Sequence, residues 1–427
     1  MPHTRLVLPR IVLFFAVIVP LLFAVGAYVM RRVGEVLRLT LQQRRLATVG
    51  LWSVIALPFV LRGAGLLDHA KPLVLVAFGV GLATLFSFAL LVPVDVLFWI
   101  AARVSPKPTK TPAPAKLQTS ADATAASSVE PSEKGPPPLT RREVVRQVAI
   151  GASLGASGLA SGFGIVVGRH DYVIEEVPIP LLRLPRSLDG YTIAQISDIH
   201  IGSLVNDYEL GQAEELLRRT RADLIVITGD MVDHDARYIP RLGAFARRLA
   251  ELGVRDGVVA IAGNHDYYTD IDRVLGTTSE AGVRVLRNEG LVIPDGERAA
   301  ATRREGFSLL GIDDVWAPRG GFAGGADLPR TLAHARPDLA RVMLCHNPEL
   351  FPEAADHVDL MLSGHTHGGQ IALGVRPASW ALRHGYVAGH YHRGASQIYV
   401  NRGFGTVGPP ARLQTPPEIT KIILTSA

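Results

Sequence analysis

The sequence predicts an α-helical membrane region followed by a globular α/β domain, and three observations point there. Four uncharged apolar stretches of 16 to 22 residues lie before residue 170. Beyond Tyr172, short β-branched runs alternate with amphipathic segments, the pattern of strands and helices in turn. Across all 427 residues the hydrophobic content is 48% and the mean hydropathy +0.23, more than a soluble enzyme needs. The net charge of +5 would suit a nucleic-acid binder if the cations lined one folded surface. They crowd the edges of the apolar stretches instead, so a bilayer is the expected partner and a nucleic acid is not. Cys345 is the single cysteine, which excludes a disulfide scaffold and a thiolate zinc site.

Ile11 to Met30 is twenty residues without a charge, enough at a helical rise of about 1.5 Å to cross a bilayer core of about 30 Å. Leu46 to Leu61 has only sixteen; it crosses if Gly63 to Leu67 completes it with Arg62 snorkelling, and is otherwise re-entrant or interfacial. Leu73 to Val94 adds twenty-two. These three helices define a membrane region over 1–103. Residues 104–139, with eight prolines among Lys, Ala, Ser and Thr, read as a flexible linker. Residues 140–171 open on "TRREVVRQ" and continue into Val148 to Gly168, with Gly151 and Gly155 at the spacing that lets helices pack closely. This predicts a fourth crossing or a signal-anchor, against a glycine-rich surface segment. The Thr140-Arg141-Arg142 start is similar to a twin-arginine export signal, but it lies too far into the chain for simple cleavage.

Segments 31–45 and 103–146 hold five and eight Lys and Arg, whereas 1–10 and 62–72 hold two each, which puts the first pair in the cytoplasm. With four crossings, everything after Arg169 then lies on the extracytoplasmic side of a bacterial inner membrane. Asp95 is the lone carboxylate at the interior margins of the stretches, and no intramembrane ion pair is evident in the sequence.

Residues 172–427 form the predicted globular domain. "YTIAQIS", "LIVIT", "VVAIA", "FSLLGI", "RVMLC", "DLMLS", "QIYVN" and "EITKIIL" read as strands. Asp207 to Arg221, capped by Asn206 or Asp207, and Ala236 to Leu252 read as helices. This count is compatible with two sheets covered by helices.

Polar residues fall at the ends of five of these strands. Asp198 and His200 follow "AQIS", Asp230 follows "LIVIT", Asn264 and His265 follow "VVAIA", His346 follows "RVMLC", and His365 and His367 follow "DLMLS". Ligand sites in open α/β sheets gather at strand C-terminal ends. Each piece alone is better explained by a cap, a turn or a hydrogen-bonded histidine. Five together point to a metal site. Carboxylates, imidazoles and one amide oxygen suit Mn, Fe or Zn, and seven side chains suffice for two ions if one carboxylate bridges.

In order, "DIH", "GDMVD", "GNHD", "CHNPE" and "GHTHGGQ" resemble the calcineurin-like metallophosphoesterases, in particular a membrane-associated bacterial branch of phosphodiesterases related to UDP-2,3-diacylglucosamine hydrolases. The resemblance spans residues 191–370. It implies a four-layer sandwich, two mixed sheets between helices. It also implies that Asp198, His200 and His367 hold one metal, that Asn264, His346 and His365 hold the other, and that Asp230 bridges. The implied reaction is attack on phosphorus by a metal-bridging hydroxide, with His265 protonating the leaving oxygen. Asp233 and Asp266 are expected as supporting or turn groups.

A membrane anchor favours a lipid-linked phosphodiester or pyrophosphate as the substrate. A UDP-diacylglucosamine-type substrate fits the related branch but lies on the wrong side of the membrane if the domain is extracytoplasmic. The protein-phosphatase branch usually carries Arg after "GDxVD" and Glu after "GNH", where His234 and Asp266 stand here. A membrane sensor or transport-associated protein that binds a phosphorylated ligand without turnover is the rival reading, and it would be expected to have lost a ligand. The stretch from Arg383 to Gly394 and Arg402 read either as a substrate-facing rim or as solvated loop.

Overall fold

The computed structural model describes residues 4–104, 139–294, 306–372 and 382–427; the predicted linker lies outside them but for its two end residues. The chain forms two compact units, residues 1–56 with 80–159, and residues 57–79 with 160–427.

The apolar stretches are helical: α1 (Thr4–Val36), α2 (Leu41–Gly63), α3 (Lys71–Val104) and α4 (Arg141–Val166). Leu41–Gly63, Lys71–Val104 and Arg141–His170 are each long and apolar enough to cross a membrane, while part of α1 has side chains outside the description. The short second stretch is thus carried through Arg62 by its own helix. Within the first unit, Asp95 is not solitary. It accepts from Tyr28 and Arg32 of α1 and lies 3.3 Å from Arg146 of α4. Arg32 and Arg146 also reach Glu35, at 2.7 and 3.5 Å. The sequence hid this ionic cluster because its partners are 63 and 51 residues from Asp95 along the chain.

The second unit carries the strands β1 (Val173–Leu181), β2 (Tyr191–Ile196), β3 (Leu224–Thr228), β4 (Val258–Ile261), β5 (Arg284–Val285), β6 (Glu289–Ile293), β7 (Phe307–Gly311), β8 (Ala340–Leu344), β9 (Leu360–Ser363), β10 (Gly389–Arg393), β11 (Ser396–Val400) and β12 (Glu418–Ser426). They form two six-stranded mixed sheets, ordered β1-β12-β2-β3-β4-β5 and β10-β11-β9-β8-β7-β6. β2 to β5 are mutually parallel, as are β7, β8, β9 and β11, so the ends that carry the polar blocks point the same way within each sheet.

Burial explains why the central strands read as unbroken apolar runs. All five residues of β3 are buried. Ile225 and Ile227 face α5 (Asp207–Thr220) and α6 (Ile239–Ala250), packing with Leu217, Leu242 and Phe245. Leu224 and Val226 face the other sheet, joining Val342, Leu360 and Leu362 in one inter-sheet layer. On the outer face of the second sheet, Phe351 and Ala354 pack on Met343 and Met361. The result is helix, sheet, sheet, helix.

Local chemistry sets the boundaries. Asn206 and Glu209 close a capping box on α5. The helix expected from Ala236 begins as a 3-10 turn capped by Asp235, and α6 takes over at Ile239 with Pro240 in its first turn. The sequence missed β1, whose Pro178 and Pro180 are tolerated because it is an edge strand. It also missed α7 (Asn264–Glu280), which starts inside a polar block. β10 falls in the stretch read as rim or loop; it is an edge strand, with His390 Nε2 3.0 Å from Gln397 Oε1. Arg402 is likewise no free rim cation, since it pairs with Glu175 at 2.8 Å and Glu418 at 2.5 Å.

Ile422 of β12 is fully buried in the inter-sheet layer. Ile422→Ala is expected to lower stability by about 2–5 kcal/mol in urea unfolding of the full-length protein in detergent. A loss well under about 1 kcal/mol would mean that the layer collapses around the deletion and is not close-packed there.

Candidate metal centre

The blocks predicted at strand ends converge from both sheets. Asp198, His200 and His367 bring one donor atom each within 4.8 Å of one another, and Asp230, His346 and His365 form a second group by the same measure. In the first, His200 Nε2 lies 3.0 Å from His367 Nε2, itself 3.4 Å from Asp198 Oδ1. In the second, His365 Nδ1 lies 3.2 Å from His346 Nε2. One oxygen joins them: Asp230 Oδ2 is 3.7 Å from His200 Nε2 and 3.2 Å from His346 Nε2. Asn264, the first residue of α7, is buried beside them, and the backbone N–H of His265 donates to Asp230 Oδ1 at 2.8 Å.

The backbone is bent to achieve this. Asp198, His200, Asp230, His365 and His367 all have φ between 51° and 70°, a left-handed conformation that costs a non-glycine residue on the order of 1 kcal/mol or more. The neighbouring glycines leave room for the carboxylates. A Cβ on Gly364 would stand 1.9 Å from Ser197 Oγ and 2.3 Å from Asp198 Oδ2, and one on Gly263 2.3 Å from Asp230 Oδ1. Asp266 accepts from the N–H groups of Met231, Val232 and Gly263, tying the "GDMVD" and "GNHD" turns together. Gln370 does the same at the other turn, donating to the carbonyls of Val407 and Pro409 and accepting from Val407 N–H.

These groups fit a pair of cations. Two imidazole nitrogens 3.0 Å apart need a proton or a cation between them. Asn264 Oδ1 is buried with no hydrogen-bond partner among the described residues, an acceptor without a donor. His346 Nδ1 sits 2.8 Å from the Thr228 carbonyl, which fixes that nitrogen as a donor and turns Nε2 to the site; there burial is outweighed by Asp230, which holds the imidazole well above its ordinary value, so a cation would take the place of the Nε2 proton. Burial pushes His200 down to about 3, and burial with the neighbouring His346 pushes His365 down to about 4. Burial, then the Arg412 guanidinium, holds His367 well below its ordinary value. All three are therefore neutral, the ligating form. Burial alone would raise Asp230, but the His346 imidazole overrides it and keeps the carboxyl well below the usual range.

His265 stands at the edge of the pair. Its ring centroid is 4.6 Å from that of His200, and its Nδ1 lies 3.6 Å from Asp233 Oδ1, with which it and His200 form a third group. Burial disfavours its charged form, but Asp233 and Asp230 raise it above the ordinary value. His234 and Tyr268 stack beside it, centroids 5.3 Å apart.

Arg412 gave no sign in the sequence, since it belongs to no strand-end block. It is almost wholly buried, donates to the carbonyls of Arg402, Gly403, Gly405 and Thr415, and lies 3.4 Å from His367 Nδ1. Its own N–H donates to the Gly164 carbonyl at 3.0 Å, and a Cβ on Gly168 would stand 2.0 Å from its carbonyl oxygen. Arg412 thus joins the last turn of α4 to the loop under His367. Asp314, after β7, was also missed, although it repeats the strand-end pattern; it is buried, with Oδ2 unpartnered among the described residues.

Two sheets whose strand ends present such a donor set fit a two-cation centre of the kind that cleaves phosphoric esters. The sequence profile of the calcineurin-like phosphoesterases matches residues 191–369. The chain is 31% identical over 298 residues to the uncharacterized metallophosphoesterase YkuE of Bacillus subtilis (strain 168), covering 67% of this chain and 98% of that one. An uncharacterized metallophosphoesterase of Aquifex aeolicus (strain VF5) is 30% identical over 257 residues, 59% of this chain and 91% of that one. A "transmembrane protein with metallophosphoesterase domain" from Bos taurus is 31% identical over 273 residues, 62% and 60% of the two chains. The chain belongs to the calcineurin-like phosphoesterase family, and it is a metallophosphoesterase.

Gly364→Ala would push Asp198 and Ser197 aside without removing a ligand. Bound metal per chain, measured by plasma mass spectrometry after dialysis against micromolar Mn²⁺, should fall, with affinity down about 10–100-fold. Metal content equal to that of the wild type in a folded variant would show that the space beside Asp198 is not needed for metal binding.

Proposed function

We propose that this protein is a membrane-anchored phosphoesterase with two metal ions that cleaves a phosphodiester or pyrophosphate bond in a lipid-linked substrate. Asp198, His200 and His367 would hold one ion and Asn264, His346 and His365 the other, with Asp230 shared between them. The observation that carries this reading is the Asp230 oxygen lying within 3.7 Å of imidazoles from both groups. Mn, Fe and Zn all suit these oxygen and nitrogen donors. When bound, two such cations lower the pKa of a water and neutralise charge on the phosphoryl oxygens.

The protein's own groups supply the rest. His265, with Asp233 3.6 Å from its Nδ1, leaves Nε2 to give a proton to the departing oxygen. The buried turn hydrogen bonds hold the ligands in their bent conformations before substrate arrives, so little reorganisation remains for the reaction. Lipid linkage is supported by the bond between Arg412 and Gly164, which ties the turn under His367 to a helix long and apolar enough to cross a membrane. The charge bias of the flanking segments supports an extracytoplasmic domain in a bacterial inner membrane. On that side a UDP-diacylglucosamine-type substrate is disfavoured relative to a lipid phosphodiester.

Full-length protein in detergent should hydrolyse a chromogenic phosphodiester with Mn²⁺ and stop with chelator. Asp230→Asn should abolish turnover, and His265→Ala should lower kcat by about 10²–10⁴-fold with metal content unchanged. Chelator-resistant turnover would sink the reading. Absence of turnover in a protein holding two metals, on lipid phosphodiesters in mixed micelles as well, would favour ligand binding without catalysis.

A further inference from the structure

The ionic cluster of the helical unit shares no residue with the candidate metal centre. It lies where the predicted apolar stretches end: Arg32 two residues after Met30, Asp95 next after Val94, and Arg146 two residues before Val148. Residues 31–45, 95–104 and 139–146 together carry nine arginines against three carboxylates. A cavity of about 550 Å³ opens at this end, lined by Arg32, Asp95, Phe98, Trp99, Arg142 and Arg146 among others, a size within the range of ligand pockets.

The cations are not all used internally. Arg32, with 7% of its side chain exposed, and Arg146 are matched by Asp95 and Glu35. Arg142 is matched by no carboxylate among the described residues; its guanidinium donates only to the Phe98 carbonyl, at 2.6 Å. Arg32 Nε is buried with no partner among the described residues. Arg103 stacks over Trp99 at 3.9 Å, so the indole forms an apolar wall with a cation behind it.

We infer that this cavity binds the phosphate of an anionic phospholipid, with Arg142 and Arg146 on the phosphate oxygens and Trp99 against the glycerol and first acyl carbons. Guanidinium groups meet phosphate through paired, charge-assisted hydrogen bonds. Tryptophan sits by preference at the headgroup level, and basic pockets between helices hold anionic headgroups there. Asp95 and Glu35 have the task of fixing Arg32 and Arg146 in place. Against the three arginines that line the cavity they leave one net cation, the complement of a lipid phosphodiester.

The test is native mass spectrometry of the delipidated full-length protein in nonionic detergent, offered short-chain phosphatidylglycerol, phosphatidylcholine of the same chain length, or inorganic phosphate. Wild type should hold one phosphatidylglycerol in preference to phosphatidylcholine. Arg142→Gln should weaken this about tenfold or more, and Arg146→Lys, which keeps the ion pair to Asp95, should weaken it less. Arg142 is exposed and makes one hydrogen bond, so its variant should unfold thermally like wild type in the absence of lipid. The paired variant Arg38→Gln with Arg45→Gln removes two cations that do not line the cavity and should bind as wild type does. Equal binding of phosphatidylcholine, or equal loss in the Arg38 and Arg45 variant, would overturn the pocket in favour of detergent-like adhesion or diffuse charge. Displacement of the lipid by equimolar inorganic phosphate would make free phosphate the ligand and overturn it as well.

Discussion

One carboxylate oxygen has to face imidazoles that arrive from two different sheets, and the rest of the second unit is arranged around that requirement. Asp198, His200, Asp230 and Asn264 follow strands of the first sheet; His346, His365 and His367 follow strands of the second. A small slide of one sheet against the other would separate the two groups. The inter-sheet layer that prevents it is fully apolar in its middle, where Val226, Val342 and Leu362 meet. Close packing makes such a layer stiff.

Directional contacts take over near the site. Gln195 of β2 donates to Ser363 of β9 at 2.9 Å and to Thr228 of β3 at 3.0 Å, while His346 lies 2.8 Å from the Thr228 carbonyl. The bonds to Ser363 and from His346 cross from sheet to sheet beneath the candidate ligands, and the bond to Thr228 ties β2 to β3 within the first sheet. They also help to offset the left-handed conformations, which persist because the surrounding bonds leave those turns no alternative. The glycines belong to the same arrangement, since at Gly263 and Gly364 a carboxylate occupies the space a Cβ would need.

The second unit includes part of the apolar helices. Residues 57–79 belong to the compact unit that holds the metal centre, where Tyr238 donates to Asp68 at 2.9 Å. Arg412 links the end of α4 to the loop beneath His367. At the other end of α4, in the helical unit, Arg146 bridges Asp95 and Glu35. Asp95 and Glu35 thus hold Arg32 and Arg146 where the apolar stretches end.

Much was legible in the residues themselves. The helices, the central strands and the ligand blocks are each local: uncharged length, β-branched runs, and polar residues where those runs end. Hence YTIAQI, LIVIT and VVAI fall where the sequence puts them. At each polar block the choice between a turn and a ligand is open locally, and the number of such blocks decides it. Edge strands were less legible, because β1 and β10 bury one side at most and carry prolines or histidines. What only the tertiary structure decided is long-range: that Asp230 lies between both imidazole groups, that Arg412 joins a helix end to His367, and that Asp95 has two arginines within reach. Such contacts depend on how elements far apart in the chain pack, and no local pattern of residues encodes that distance.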